Sequence, residues 1–198
     1  MNRRINRWVG TVAVLIVVAE LVVVLLSWLL SAMMTDGVRS LLSGEGIRWY
    51  FSHFVDFLAS PLLIWLLLLS MTVGSLVKSG IRSPQGYRDR LALRFAFILV
   101  AVYVLLVLVL TLLPHGVLLS ATGRLFPSPF SRALVPIVAF GILLLSVTYG
   151  LVSGRFRSAA DVVASLCYGI AASAPLFLLY VLILQFYHSL RYVFPIGM

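Results

Sequence analysis

Residues 8–32 read WVGTVAVLIVVAELVVVLLSWLLSA, an apolar run interrupted by a single acid, Glu20. An α-helix rises about 1.5 Å per residue, so about 20 apolar residues cross a hydrocarbon core about 30 Å thick. This run is longer than that. The preceding MNRRINR could serve as the basic flank of a secretory signal, but the apolar core of a signal covers only roughly 7–15 residues. The stretch therefore predicts a retained membrane-spanning helix over 9–32. Lipid offers no partner to an unpaired backbone N–H or C=O, so a helix is the form such a segment takes.

Four further stretches satisfy the same criterion, at 55–77, 92–113, 133–151 and 162–186. Of the 198 residues, 62% are hydrophobic, and the mean hydropathy is +1.12. A soluble domain is roughly 45–50% apolar. The expected fold is an all-α integral membrane protein: one transmembrane domain over 1–198, a bundle of about five spans with an external amphipathic interfacial helix. Nothing longer than a loop is left to build a soluble catalytic core. The formal charge of +9, which in a soluble chain would suggest nucleic acid, is here read by position. Ten of the fifteen Lys and Arg fall on one side: Arg3, Arg4 and Arg7, then Lys78 to Arg94, then Arg155 and Arg157. The positive-inside rule makes that side cytoplasmic, with the N-terminus inside and the C-terminus external, or periplasmic, in a bacterial-type inner membrane. The lipid bilayer is the expected partner, and no nucleic acid. Cys167, the single cysteine, lies in an apolar run and is expected to pack there.

Between the first two spans, LLSGEGIRWYFSHFVDF at 41–57 keeps charges among aromatics. Ile47, Tyr50, Phe51, Phe54 and Leu58 recur at helical spacing, while Arg48, Ser52 and Asp56 follow at i, i+4 and i+8 on another face. The pattern predicts an interfacial helix over about 45–54, apolar face in the acyl boundary and Trp49 and Tyr50 at headgroup level. The connection 114–132, PHGVLLSATGRLFPSPFSR, is too apolar for a solvated loop and is expected at the bilayer surface or dipping into the protein. Ser158 and Asp161 form an S-x-x-D start signal for the fifth span.

VRSLLSGEGIRWYF at 38–51, DFLASPLL at 56–63 and KSG at 78–80 together resemble the N-terminal part of the p-aminobenzoyl-glutamate transporter (AbgT) family. The resemblance covers 38–80 well and the remainder loosely. Asp56 stands where the family has Asn before Phe, and Leu63 where it has Gly after Pro-Leu. Family transporters are longer, built from repeated halves with broken helices, and often dimeric. The resemblance thus implies a short, truncated relative, to which none of the later substrate- or ion-binding residues can be transferred.

Glu20 is the candidate centre of chemistry, since a charge at mid-membrane costs roughly 2.5–3.5 kcal/mol and asks for a partner. Counting the other spans to mid-depth reaches Tyr103 and Ser173, which could hydrogen-bond its carboxyl group; the three form a candidate intramembrane proton or ion site, weighed against a merely structural hydrogen bond. Ser52, His53, Asp56, His115, Arg124 and Arg132 form a candidate external vestibule in which arginines attract an anion. No metal site or cofactor is expected, because the histidine spacings match no ligand pattern. An enzyme is not expected either: Ser153 in GLVSG lies at the opposite end of its span from all three histidines, so it lacks a base within reach. Two functions remain. One is a transporter, a proton-coupled carrier or exporter of a small anionic, aminobenzoyl-glutamate-like solute, working as a homo-oligomer or in a larger membrane complex. The other is a non-transporting subunit or scaffold that binds a partner membrane protein.

Overall fold

The computed structural model describes residues 3–33, 37–81, 86–112 and 129–195. Among them are six helices and no strand: α1 (Arg3–Ala32), α2 (Gly44–Leu58), α3 (Pro61–Ser79), α4 (Tyr87–Leu112), α5 (Pro129–Ser153) and α6 (Ala159–Val193). All except α2 contain a segment long and apolar enough to cross a membrane, five in number, namely Arg7–Ala32, Pro61–Ser79, Tyr87–Thr111, Ala133–Ser153 and Ala159–Val193. The protein is an all-α membrane bundle. The second span opens at Pro61 rather than at 55, because α2 continues to Leu58 and the chain turns at Ala59 and Ser60. Proline suits a first helical turn, where its missing N–H would have no partner anyway. The 114–128 part of the apolar connection lies outside the described residues.

Two compact units emerge, one from 1–64 with 173–198, the other from 65–172. In the first, α1, α2 and the C-terminal part of α6 enclose a small core of Val23, Leu41, Tyr192 and Val193. The segment ahead of α2 is tied at both edges: Leu41 N–H donates to the Ser27 hydroxyl at 3.1 Å, and Arg39 N–H to the Val193 carbonyl at 3.2 Å. Ser43 then caps α2, its hydroxyl accepting from Gly46 N–H at 3.0 Å. Trp49 stacks on Tyr192 with centroids 4.1 Å apart, Phe57 stacks on His188 at 4.5 Å, and the Tyr180 hydroxyl donates to the Leu58 carbonyl at 2.9 Å. Successive α2 residues meet successively earlier α6 residues, so the two helices run antiparallel. The opposite flank of α2 carries Ile47, Phe51 and Val55, exposed at 46%, 75% and 73%. That is the apolar stripe an interfacial helix presents to acyl chains.

In the second unit, α4 packs on α5, with Ala92, Ala96 and Tyr149 fully buried where they meet. Small side chains let helices approach closely where lipid removes the hydrophobic drive between them. On α3, Thr72 donates to the Ala139 carbonyl at 3.3 Å, and Ser75 shares a hydrogen bond of 2.7 Å with Ser146, both serines fully buried. A double-mutant cycle with Ser75→Ala and Ser146→Ala is expected to give a coupling of about 0.6 kcal/mol, read from reversible unfolding in detergent. A coupling indistinguishable from zero would mean that each hydroxyl is satisfied by its own helix carbonyl alone. The start of α6 has the reciprocal cap foreseen at 158–161: Asp161 N–H donates to the Ser158 hydroxyl at 3.3 Å, while the Asp161 carboxylate accepts from Arg157 and Ser158 N–H at 2.8 and 3.0 Å.

Candidate functional site

Glu20 enters the first unit from the middle of α1. Its Oε1 accepts a 2.6 Å hydrogen bond from the Ser189 hydroxyl on α6, and its Oε2 is buried with no hydrogen-bond partner among the described residues. Glu20 lines a cavity of about 240 Å³ together with Val24, Leu41, Leu42, Ile47, Tyr50, Phe51 and Gln185. Each lining residue comes from an element already fixed: Val24 is one turn along α1 from Glu20, Leu41 is held by Ser27, and Tyr50 lies on the side of α2 that faces α6. The Gln185 side-chain amide donates to the Tyr50 hydroxyl, which leaves the phenolic proton free to be offered elsewhere. Burial first, and the nearby Glu20 carboxyl second, push the Tyr50 phenol above its ordinary pKa, so at neutral pH it remains a donor.

Among the described residues the lining is apolar except for Glu20, Tyr50 and Gln185, and it contains no Lys or Arg. Such a pocket can hold a small solute by an apolar wall and orient it with a few polar groups. A carboxyl with one oxygen hydrogen-bonded and the other buried without a partner among the described residues is a candidate for taking up and releasing a proton.

The other residues singled out from sequence are distributed as follows. Tyr103, in the second unit, donates its hydroxyl to the Ile137 carbonyl at 3.0 Å, and Ser173 sits half-buried on α6. Among the described residues, the hydrogen bond to the Glu20 carboxyl group is donated by Ser189. Ser52, His53 and Asp56 are exposed on α2; the Ser52 hydroxyl and His53 Nδ1 are 2.8 Å apart, and the His53 ring lies against Trp49 and Phe57. His115 and Arg124 lie outside the described residues, as does the side chain of Arg132. Gln185 and Ser189 are the functional candidates that counting to mid-depth passed over. Their signal was present: two polar residues at i, i+4 inside LILQFYHSL put both on one face of an otherwise apolar helix. Counting passed over them because α6 has 35 residues, roughly 50 Å of helix, so its midpoint is no guide to membrane depth.

Five apolar spans define a multi-pass membrane protein. The profile of the AbgT transporter family matches residues 77–192, more than half of the chain, and the chain belongs to that family. The matched region adjoins the 38–80 motifs and overlaps them only at 77–80. No curated protein and no solved structure matches the chain.

Proposed function

We propose that this AbgT-family chain is a proton-coupled carrier rather than an enzyme, with Glu20 as its intramembrane proton site and a small anionic, aminobenzoyl-glutamate-like solute as its cargo. One observation carries the reading: Glu20, which lines a cavity of about 240 Å³, has a carboxyl oxygen buried without a partner among the described residues. A buried polar atom left unpaired costs about 1–3 kcal/mol, and an intramembrane acid that accepts this cost is by default a candidate for proton or ion handling. The apolar walls suit an aryl group. Arg191, which lines a separate cavity of about 460 Å³ with Tyr187, Leu190 and Phe194 in the same unit, offers a partner to a carboxylate. We place the chain in a bacterial-type inner membrane with the N-terminus cytoplasmic, on the distribution of Lys and Arg, and working as a homo-oligomer or within a larger membrane complex.

The test is flux. The purified full chain in vesicles bearing a pH gradient is expected to accumulate p-aminobenzoyl-glutamate and to dissipate the gradient in step with it. A well-folded preparation that moves neither solute nor protons would overturn the carrier reading in favour of a partner-binding subunit. The exposed Ile47, Phe51 and Val55 stripe of α2 would then be the first surface to crosslink.

A further inference from the structure

The second unit contains a cavity that the carrier reading does not use. It encloses about 280 Å³ and is lined by Lys78, Arg155, Phe156, Asp161, Ala164 and Ser165. Its construction follows from the crossing of α3 and α6. Gly74 lies so close to α6 that a Cβ there would come within 2.5 Å of the Gly169 backbone and the Ser165 carbonyl. One turn further along α3 is Lys78, and one to two turns back along α6 are Ser165 and Asp161. The cavity opens just past the point of closest approach.

Its two cations are held by aromatic rings. The Lys78 ammonium stands 4.2 Å from the centroid of the Tyr168 ring, and among the described residues it has no carboxylate within ion-pair distance. The Arg155 guanidinium lies 5.8 Å over the buried Tyr149 ring and reaches Asp89 at 3.7 Å. Gly80, with φ +66°, makes room for it, because a Cβ at Gly80 would occupy the position of Arg155 Nη1. Asp161 is the opposing charge in the lining. Its Oδ2 is turned to the backbone N–H groups of Arg157 and Ser158, so part of its field is already met by the helix start. A cation whose only contact is a ring face retains N–H donors for an anion.

The location says what kind of anion. Lys78 is in the last turn of the span Pro61–Ser79, Arg155 follows the span Ala133–Ser153, and Asp161 to Ser165 open the span Ala159–Val193. All therefore sit at one end of the apolar segments, at headgroup depth, with Val77 and Val163 exposed at 47% and 56% beside them for acyl chains. We propose that this cavity binds a phosphate group, presented by an anionic phospholipid headgroup or by free phosphate, between Lys78 and Arg155. The proposal does not depend on the Glu20 reading, and its test involves no transport.

The full chain in uncharged detergent would be titrated with phosphatidylglycerol, with phosphatidylcholine and with inorganic phosphate, binding being read by native mass spectrometry. Phosphatidylglycerol should saturate one tight site. Lys78→Gln should weaken it about fivefold, the equivalent of about 1 kcal/mol for one cation near a headgroup, and Lys78→Arg should restore it. Lys78 is exposed, so these changes spare the packing. Competition by millimolar inorganic phosphate would identify free phosphate as a sufficient ligand; no competition would assign the site to the lipid. Either result supports a phosphate site that Lys78→Gln impairs. Equal phosphatidylglycerol affinity in the wild type and in the Lys78→Gln/Arg155→Gln double variant would overturn the proposal. So would an equal loss in Arg94→Gln, an exposed cation on α4 outside the cavity, since that would mean diffuse charge attraction rather than a site.

Discussion

Glu20→Gln is expected to reduce pH-gradient-driven accumulation of the solute to the level of empty vesicles, while unfolding stability stays within about 1 kcal/mol of the wild type. The two halves of this prediction come from the same geometry. Glutamine retains an oxygen that can accept the 2.6 Å hydrogen bond from Ser189, and it is nearly the same size, so the cavity wall stays in place. Its amide sits where Oε2 was, a position without a partner among the described residues, so none of their hydrogen bonds is broken. What is lost is the exchangeable proton. Downhill exchange of solute should survive, because Tyr50, Gln185 and the apolar wall are untouched. Removing Ser189 by Ser189→Ala should have the opposite profile: coupling is weakened rather than lost, and stability falls by about 0.6 kcal/mol, the usual worth of an interhelical side-chain hydrogen bond in a membrane. Flux in vesicles and fluorescence-monitored unfolding, measured on both variants, separate the cases. Wild-type accumulation by Glu20→Gln would remove Glu20 from the coupling step and leave its hydrogen bond as a packing feature.

Much of the fold could be read from the chain because the bilayer imposes so simple a rule. A run of about 20 apolar residues has one practical conformation, and five such runs yield the bundle. The cap at Ser158 and Asp161 was equally legible, since it is local: both partners lie within one turn. The amphipathic α2 was legible from spacing, although the expected boundary near 54 fell short of the helix end at Leu58. Legibility ended where a property depends on which faces of distant helices meet. Nothing in the sequence says that Glu20 faces Ser189, 169 positions away, and a count to mid-depth points instead to Tyr103 and Ser173. The close contact of Gly169 with Gly74 and Ser70 was likewise illegible, since Gly74 and Ser70 carry no distinguishing pattern of their own. The family was visible first in the motifs at 38–80, while its profile rests on the helices that follow.

Gly74 and Gly169 are where the second unit is most vulnerable. A Cβ on Gly74 would meet the Gly169 Cα and N and the Ser165 carbonyl at 2.5 Å, and a Cβ on Gly169 would strike the Ser70 carbonyl and approach Gly74 Cα at 2.9 Å. These obstacles are backbone atoms, which cannot rotate aside as a side-chain tip can. Relief requires α3 and α6 to separate. α3 cannot retreat freely, because the 2.7 Å bond from Ser75 to Ser146 and the bond from Thr72 to the Ala139 carbonyl hold it to α5. Gly74→Ala is therefore expected to cost about 1–3 kcal/mol in overpacking. Alanine's better helix propensity, about 1 kcal/mol, offsets part of it. Gly74→Leu should cost more, to the point of loss of folded protein. Because both glycines guard one gap, Gly74→Ala and Gly169→Ala should be non-additive: once the first has forced the helices apart, the second meets less resistance, and the double variant should fall short of the sum by 0.5 kcal/mol or more. Unfolding of the three variants in one detergent decides the matter. Stabilisation by Gly74→Ala would mean that helix propensity outweighs the contact and that α3 and α6 have slack at their crossing.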